Sequence, residues 1–267
     1  MQRSKTIEDD IRATAHALAD AARAAILPFF RGQDLGIENK IVGDFDPVTK
    51  GDRAAETAMR EILAKRRPED AILGEEFGQK SGTTGLTWVL DPIDGTRGFM
   101  SGTPTWGVLI SVADETGPFY GLIDQPYTQE RFEGGLGQAM MVGPHGDVAL
   151  KARATDQLSE AILFTTFPEV GSAEDRAGFE TVRDEVRLTR YGMDCYAYAL
   201  LALGQIDLVI EAGLQAYDIQ APIAVIEAAG GIVTDWTGAP AHEGGRVLAA
   251  ANAVIHRKAL ALLAPYV

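Results

Sequence analysis

Cysteine and histidine are scarce in this sequence, which limits the kinds of site that it can build. It contains one cysteine, Cys195, and four histidines. A single cysteine excludes an intrachain disulfide framework and a zinc finger, and no two histidines have the spacing of zinc ligands. We therefore expect neither a disulfide-stapled domain nor a zinc hydrolase, and the low cysteine content suits a cytoplasmic protein.

Basic residues and long apolar runs are also in short supply. The chain has 24 Lys and Arg against 38 Asp and Glu, a formal net charge of −14. This surplus of negative charge argues against nucleic acid or an anionic membrane as a partner. No apolar run is long enough to cross a bilayer, and residues 1–10 lack the apolar core of a signal peptide. We expect a soluble protein, whose substrate can still be an anion because bound metal reverses the local field.

Three common catalytic signatures do not occur in the chain. It has no G-x-S-x-G elbow, no P-loop and no G-x-G-x-x-G fingerprint. Their absence argues against serine hydrolases and nucleotide-dependent kinases. The chemistry has to come from other residues, and the acids are the most abundant candidates.

The most informative stretch is Trp88–Thr96, an apolar strand that runs directly into two acids. Asp91 and Asp94 end the strand, and Gly95 and Thr96 follow at a turn. Carboxylates so close together repel each other and resist burial unless a cation lies between them. Free backbone N–H groups at such a turn suit phosphate oxygens. The stretch therefore predicts a site for a divalent metal and a phosphate, in which the Ile93 carbonyl is free to act as a further ligand.

Other acids also lie at the ends of predicted elements. Glu75 follows a short strand, and Asp218 lies where a helix begins. A set of oxygen ligands without His or Cys suits a hard cation such as Mg²⁺. Each acid also has a plainer interpretation: Glu75 and its neighbour Glu76 as a solvated strand end, Asp218 as a helix cap. Since adjacent residues on an extended strand face opposite ways, only one of the two glutamates is expected to point into the site.

The pattern of hydrophobic residues divides the chain near residue 150. We predict an N-terminal α+β part, residues 1–150, that carries the metal motif and an antiparallel sheet, and a C-terminal α/β part, residues 151–267, that completes the site. The predicted helices are 7–31, 52–67, 173–185, 194–203, 218–229 and 254–264. The predicted strands are 71–74, 88–90, 106–112, 118–124, 131–133, 138–142, 161–167, 185–189, 206–211, 232–235 and 247–250. Loops or irregular connections are expected over 39–52, 78–86 and 97–104.

Four motifs, taken together and in this order, resemble the inositol monophosphatase family. They are D-P-V-T-K-G-D at 46–52, G-E-E at 74–76, D-P-I-D-G-T at 91–96, and Y-D-I-Q-A at 217–221 with A-G-G at 229–231. The resemblance covers essentially the whole chain and departs from most members at Tyr217, where tryptophan is usual. It implies a layered αβαβα sandwich, a homodimer, and a phosphomonoesterase that uses two or three Mg²⁺ ions and in-line attack by metal-activated water.

The resemblance also implies roles for individual residues. The first Mg²⁺ would be held by Glu75, Asp91 and the Ile93 carbonyl, and the second by Asp91, Asp94 and Asp218. Thr96, paired with Asp52 and assisted by Glu75, would orient the attacking water, and the N–H groups of Gly95 and Thr96 would hold the phosphate beside Asp94. From spacing alone Asp52 is better explained as the acid of a capping box with Thr49, and both roles could coexist.

The alcohol half of the substrate must be inferred from other segments. Residues 97–107, 194–198 and 211–218 resemble the histidinol-phosphatase branch of the family, which implies that Asp194 and Glu211 contact the alcohol. Two carboxylates there would complement the ammonium and imidazole of histidinol phosphate better than neutral inositol. The plainer interpretations are a helix N-cap for Asp194 and a solvated strand end for Glu211. Arg97 would hold phosphate or pair with a nearby acid.

The sequence therefore predicts hydrolysis of a small phosphate monoester, L-histidinol phosphate, to L-histidinol and phosphate in histidine biosynthesis. The alternative within the same class is an inositol-1-phosphatase or a broader sugar- and nucleotide-phosphate phosphatase. An alternative from a different class is a metal-binding scaffold without catalysis. Thr96, Asp52 and Glu75 argue against that scaffold, because it would have no need for all three.

Overall fold

The computed structural model describes residues 4–32, 35–39 and 47–267 of the protein. Residues 40–46 of the predicted loop, including the first residue of the first motif, lie outside the described ranges. The helices are α1 (Lys5–Ile26), α2 (Lys50–Arg66), α3 (Thr96–Ser101), α4 (Ala173–Arg183), α5 (Asp194–Ala202), α6 (Ala216–Ala228) and α7 (Ala253–Leu263). Two short 3₁₀ turns occupy Leu158–Glu160 and Ala264–Tyr266.

The strands form three sheets. The small first sheet pairs β1 (Glu38–Asn39) with β2 (Pro47–Val48). The second sheet has eight strands, in the spatial order β10-β9-β8-β7-β6-β5-β3-β4. Its strands are β3 (Ala71–Gly74), β4 (Gly78–Lys80), β5 (Thr87–Asp94), β6 (Gly107–Asp114), β7 (Gly117–Gln125), β8 (Glu130–Gly135), β9 (Gln138–Val142) and β10 (Val148–Ala149). The third sheet has the order β12-β11-β13-β15-β14 and contains β11 (Ile162–Thr165), β12 (Leu188–Tyr191), β13 (Leu208–Gln215), β14 (Ile232–Thr234) and β15 (Gly244–Ala250).

Helices and sheets alternate in five layers, which confirms the predicted αβαβα sandwich. Helices α1 and α2 share one hydrophobic core with the outer face of the eight-stranded sheet. The central layer, α5 and α6, lies in a second core between the two large sheets. A third core joins the other face of the five-stranded sheet to α4 and α7. The division near residue 150 stays a prediction; the last strand of the eight-stranded sheet ends at Ala149 and the five-stranded sheet begins at Ile162.

Strand β6 shows why the eight-stranded sheet needs a helical layer on both faces. Val108 and Ile110 belong to the core with α1 and α2, whereas Leu109 belongs to the core with α5 and α6. Successive side chains of a strand point to opposite faces, so a continuous apolar run is buried on both sides. Because helices cover both faces of the sheet, the end of the neighbouring strand β5 is also buried.

Several elements differ from the sequence prediction, among them α1, β4 and α3. Helix α1 ends at Ile26 and not at residue 31, because Pro28 has no N–H to donate to the helical carbonyl four residues before it. Strand β4 lies inside the predicted surface connection, where it pairs with β3 as an exposed edge. Helix α3 lies inside the segment predicted to be irregular; at six residues it is too short to show a periodic pattern. Within the described ranges, no helix combines the length and apolar composition that a membrane crossing needs.

Candidate active site

A β-bulge at the end of β5 brings its two acids to the same side of the strand. Asp91 pairs with Leu109 of β6 and Asp94 pairs with Gly107, so three steps on β5 match two steps on β6. In a regular strand, residues three apart face opposite ways, but one extra residue reverses the second of them. The bulge contains Pro92, which has no N–H to contribute to the sheet. Both carboxylates can therefore contribute to one site.

Asp218 completes this first acidic group from α6. Single carboxylate oxygens of Asp91, Asp94 and Asp218 all lie within 4.8 Å of one another. The other role expected for Asp218 is also present, because its Oδ2 accepts a hydrogen bond from the N–H of Gln215 at 2.7 Å and caps the helix. The cap fixes the side chain at the first turn of α6, where it faces the end of β5.

A second acidic group contains Asp52, Glu75 and Glu76, again with oxygens within 4.8 Å of one another. Here the expectation that only one glutamate could face the site is wrong. Both residues lie in the turn after β3 and not on extended backbone, so the alternation of a strand does not apply to them. Glu76 is thus a candidate ligand that the sequence analysis set aside.

Burial and mutual repulsion raise the pKa of four carboxyls at this site, those of Asp52, Asp91, Asp94 and Asp218. Burial is the largest cause for Asp91 and Asp94, followed for Asp91 by the charge of Glu75 and for Asp94 by that of Asp218. Burial also raises the pKa of Asp218 and of Asp52 to about 7 from an ordinary 3.8. Without a cation, the folded protein therefore holds protons on groups that would be ionised in water.

The donor set fits a hard divalent cation. The two groups contain only carboxylates, and the Ile93 carbonyl lies in the bulge between Asp91 and Asp94. Oxygen ligands without nitrogen or sulfur suit Mg²⁺. A cation would also replace the bound protons and remove the repulsion that raises the pKa values. The described residues thus place Glu75, Asp91, Asp94 and Asp218 in groups that could hold a metal ion. The ligand roles of these four residues and of the Ile93 carbonyl stay predictions.

These pKa shifts predict how the stability of the metal-free protein depends on pH. A carboxyl whose pKa is higher in the folded state binds protons more tightly there, so the free energy of unfolding falls as pH rises from the unfolded to the folded pKa. For Asp218 and Asp52 that window runs from about 4 to about 7. We expect the melting temperature in EDTA to fall across this window, and Mg²⁺ to reduce the fall.

The difference between EDTA and Mg²⁺ melting curves, measured from pH 4.5 to 8, isolates the acidic site. Asp70 and Asp175 have lowered pKa values, so their contribution to the free energy of unfolding is lost only at a pH below this window. His256, whose pKa burial lowers, acts in the opposite direction in both samples and cancels in the difference. A difference that does not grow with pH would contradict the prediction.

The contacts of Thr96 and Asp52 differ from the predicted pair. The Thr96 hydroxyl donates to the Ile93 carbonyl at 3.2 Å, so this carbonyl is not free, although a carbonyl oxygen has a second lone pair. Asp52 accepts from the N–H of Thr49 at 2.8 Å and from its hydroxyl, which forms the expected capping box. The joint action of Thr96 and Asp52 on a water molecule stays a prediction.

The predicted phosphate donors lie at the start of α3. Gly95 adopts a left-handed φ of 82°, and the helix begins at Thr96. A Cβ atom at position 95 would lie 2.7 Å from Asp194, so both the backbone angle and the space require glycine. The N–H groups of a first helical turn have no partner within the helix.

A cleft of about 300 Å³ adjoins the acidic group. It is lined by every residue predicted to bind substrate, together with Asp218 and with residues of β11, β13 and α5. The predicted members of this lining are Asp94, Gly95, Thr96, Arg97, Asp194 and Glu211. Sequence positions more than a hundred residues apart thus meet in one cavity.

Asp194 is the first residue of α5 and follows the N-cap residue Met193, so it is not the helix cap. Its φ of 46° is left-handed, and its Oδ2 accepts a hydrogen bond from the Thr105 hydroxyl at 3.0 Å. The next residue, Cys195, donates its N–H to Asp94 Oδ2 at 2.7 Å. The start of α5 therefore presents a carboxylate to the cleft and orients a predicted metal ligand at the same time.

Glu211 is buried, with 7% of its surface exposed, and is not a solvated strand end. One oxygen accepts from both the N–H and the hydroxyl of Thr166, and the other accepts from the Tyr198 hydroxyl at 3.2 Å. Burial raises the pKa of Glu211 to about 7. Thr166 and Tyr198 also line the cleft. Neither residue was given a role from the sequence, because Thr166 belongs to no motif and only the fold brings Tyr198, at the end of segment 194–198, to Glu211.

Arg97 lies at the exposed rim of the cleft, where its guanidinium lies 4.9 Å from the centre of the Phe167 ring. Its charge also counteracts the effect of burial on the pKa of Asp194. The stacking places a cation at the mouth of an otherwise acidic cavity. Such a residue can meet an incoming phosphate, as the sequence analysis expected, and Phe167 is a further missed neighbour.

Comparisons with known proteins agree with this geometry. A histidinol-phosphatase from Streptomyces coelicolor is 35% identical over 96% of this chain and 97% of its own length. The bifunctional phosphatase IMPL2, chloroplastic, from Arabidopsis thaliana is 44% identical over 88% of this chain and 67% of its own. The structure of an inositol monophosphatase from Zymomonas mobilis superposes with a TM-score of 0.84 at 40% identity, and covers 98% of this chain and 100% of that chain. The sequence model of the inositol monophosphatase family matches residues 8–267. This chain therefore belongs to the inositol monophosphatase family, whose members are metal-dependent phosphatases.

Proposed function

We propose that the protein hydrolyses L-histidinol phosphate to L-histidinol and inorganic phosphate with the help of Mg²⁺. The observation that supports this substrate is the pair Asp194 and Glu211, which line the same cleft as Asp94 and Asp218. Histidinol phosphate carries an ammonium and an imidazole, which two carboxylates complement, whereas inositol carries only neutral hydroxyls. The Streptomyces relative named histidinol-phosphatase supports the same choice.

The residues that would hold the ions are the carboxylates of the two acidic groups and the Ile93 carbonyl. When bound, the ions would polarise the phosphate and lower the pKa of a water molecule. Thr96, Asp52 and Glu75 would orient that water. Gly95, Thr96 and Arg97 would hold the phosphate, and Asp194 and Glu211 would hold the cationic end of the alcohol.

The alternative substrate class is inositol 1-phosphate, or a wider range of sugar and nucleotide phosphates. The 40% identical Zymomonas mobilis structure, described as an inositol monophosphatase, favours it. The two substrate classes differ only in the alcohol, because phosphate and metal are handled by the same residues in either case.

A substrate panel at fixed Mg²⁺ tests the proposal. We expect kcat/KM for histidinol phosphate to exceed that for inositol 1-phosphate by on the order of a hundredfold, the value of one buried charge pair. Comparable values for the two esters would overturn the substrate assignment while keeping the phosphatase. No Mg²⁺-dependent phosphate release from any ester would instead favour the non-catalytic scaffold.

Expectations about the ions, the oligomeric state, the location and the partners accompany this function as proposals. Two or three Mg²⁺ ions would act at the two acidic groups. The protein would work as a homodimer in the cytoplasm, on a small phosphate monoester and without nucleic-acid or membrane partners. Analytical ultracentrifugation of the purified protein tests the dimer.

A further inference from the structure

A buried carboxylate on α2, Glu56, reaches the turn that carries two of the candidate metal ligands. Glu56 has no exposed surface. It accepts hydrogen bonds from the backbone N–H groups of Glu76 at 2.7 Å and Phe77 at 3.2 Å, one with each carboxylate oxygen. A charged acceptor makes these bonds stronger than bonds between neutral groups. The turn after β3 is therefore anchored to α2 at the residues next to Glu75.

Arg60, one helical turn further along α2, extends this anchor. Its Nε donates to Glu56 Oε1 at 2.7 Å, and its Nη2 donates to the carbonyl of Gly78. The guanidinium also lies 5.9 Å from the centre of the Phe77 ring. Together the two side chains hold the backbone of residues 76–78 from one face of α2. We call Glu56 and Arg60 the α2 clamp.

The end of β3 leaves space for the α2 clamp. A Cβ atom at Gly74 would lie only 2.0 Å from Glu56 Oε1 and 2.8 Å from Arg60 Nη2. Glycine at this position thus lets the buried carboxylate lie directly against the residue before Glu75. Asp52, the third member of that acidic group, lies on the same helix one turn before Glu56. One element therefore carries both an acid of the group and the anchor for the other two acids.

We infer that the α2 clamp positions Glu75 and Glu76 for metal binding. Without an ion, three carboxylates within 4.8 Å of one another repel, and an unanchored turn would relax away from Asp52. The hydrogen bonds from Glu56 hold the turn in place before the ion arrives, so less ordering is needed on binding. The inference rests on the metal ligands of the proposed function and not on the identity of the alcohol.

The substitution Glu56→Gln tests the clamp. Glutamine has the same shape, but its amide would place one donor against the N–H of Phe77 or against Arg60. We expect the Mg²⁺ concentration for half-maximal activity to rise about tenfold, because the loss of one hydrogen bond to a charged group has an effect of about that size. Saturating Mg²⁺ should restore kcat to within about threefold, because no group that touches substrate has changed. The Mg²⁺-dependent rise in melting temperature, measured without substrate, should shift to higher Mg²⁺ by the same factor.

Glu133→Gln is the matched control. Glu133 is also buried and bonded to an arginine, Arg12, but its other partners lie on α1 and β7 and not at the acidic groups. We expect it to lower the melting temperature and leave the Mg²⁺ titration unchanged. Arg60→Met supplies a second test if Glu56→Gln does not fold, and should shift the titration in the same direction.

The inference is overturned if both folded clamp variants behave like Glu133→Gln, with lower stability and an unchanged Mg²⁺ titration. It is also overturned if saturating Mg²⁺ fails to restore kcat in Glu56→Gln, since that would indicate damage beyond ligand placement. Because the melting experiment contains no substrate, its result is independent of whether histidinol phosphate is the substrate. Failure of the substrate panel and failure of the clamp can thus be told apart.

Discussion

Asp91→Asn is expected to lower the rate of phosphate release on the order of a thousandfold and, in the same protein, to raise the melting temperature of the metal-free form. Asp91 is the candidate ligand shared by both predicted ions, so its loss affects both. Asp91 is only 2% exposed and faces Glu75, Asp94 and Asp218. Burial and the repulsion from these carboxylates destabilise the metal-free protein, so replacing Asp91 with a neutral side chain should stabilise it. Phosphate release and melting curves in EDTA and in Mg²⁺ measure the two effects.

Asparagine suits this test because it preserves the local backbone. Asp91 Oδ1 accepts the N–H of Ile93 at 3.0 Å, and the amide oxygen of asparagine can accept the same bond. The bulge that turns Asp94 toward the site therefore persists. Only the ionisable group is removed, and with it the cost of keeping Asp91 among neighbouring carboxyls.

Asp70→Asn is a control that should change the melting temperature in the opposite direction. Asp70 is 1% exposed, but its partners Arg67, Thr84 and Trp88 lower its pKa. Its carboxylate thus stabilises the fold, and the same substitution should lower the melting temperature and leave the Mg²⁺ titration intact. If metal-free Asp91→Asn melts at a lower temperature than the wild type, repulsion between the buried carboxylates does not destabilise the metal-free protein, and the prediction is wrong.

Much of the site could be read from the sequence because the motifs are local. Asp91, Asp94 and Thr96 lie within one short stretch, and a buried strand that ends in two acids already indicates a cation. The five layers were implied by the family resemblance, and strand β6 shows their physical reason, since a continuous apolar run needs a partner on both faces. Local chemistry and periodicity are properties that a sequence displays directly.

The missed features depend on backbone geometry or on contacts between distant segments. The bulge at Pro92 adds no pattern to the sequence, yet it decides that Asp91 and Asp94 face the same way. Glu76 was set aside because strand geometry was assumed where the chain turns. Tyr198 and Thr166 come from different elements and meet only at Glu211. In each case the position of the side chain depends on strand register, on a turn or on packing between distant segments. Composition and residue spacing do not reveal these features.

Substrate choice is the property that local motifs define least, and the double substitution Asp194→Asn with Glu211→Gln addresses it. We expect kcat/KM for histidinol phosphate to fall on the order of a hundredfold, mainly through KM, because truncating buried charge partners of a cation costs about that much. For inositol 1-phosphate we expect a change of less than about tenfold, since its hydroxyls can bond to amides as well as to carboxylates. Both esters are measured on the same preparation at saturating Mg²⁺.

Thr105→Val separates the charge of Asp194 from its placement. The threonine hydroxyl donates to Asp194 Oδ2 at 3.0 Å, and valine keeps the shape without the donor. If the charge of Asp194 recognises the substrate, Thr105→Val should lower kcat/KM for histidinol phosphate by no more than about tenfold, because it removes one hydrogen bond to a charged group. The double variant should lower the same quantity much further. Equal losses for both esters in the double variant would mean that Asp194 and Glu211 shape the cleft without selecting a cation. The acidic cluster would then still account for phosphate hydrolysis, and the preference between alcohols would have to come from the rim around Arg97 and Phe167.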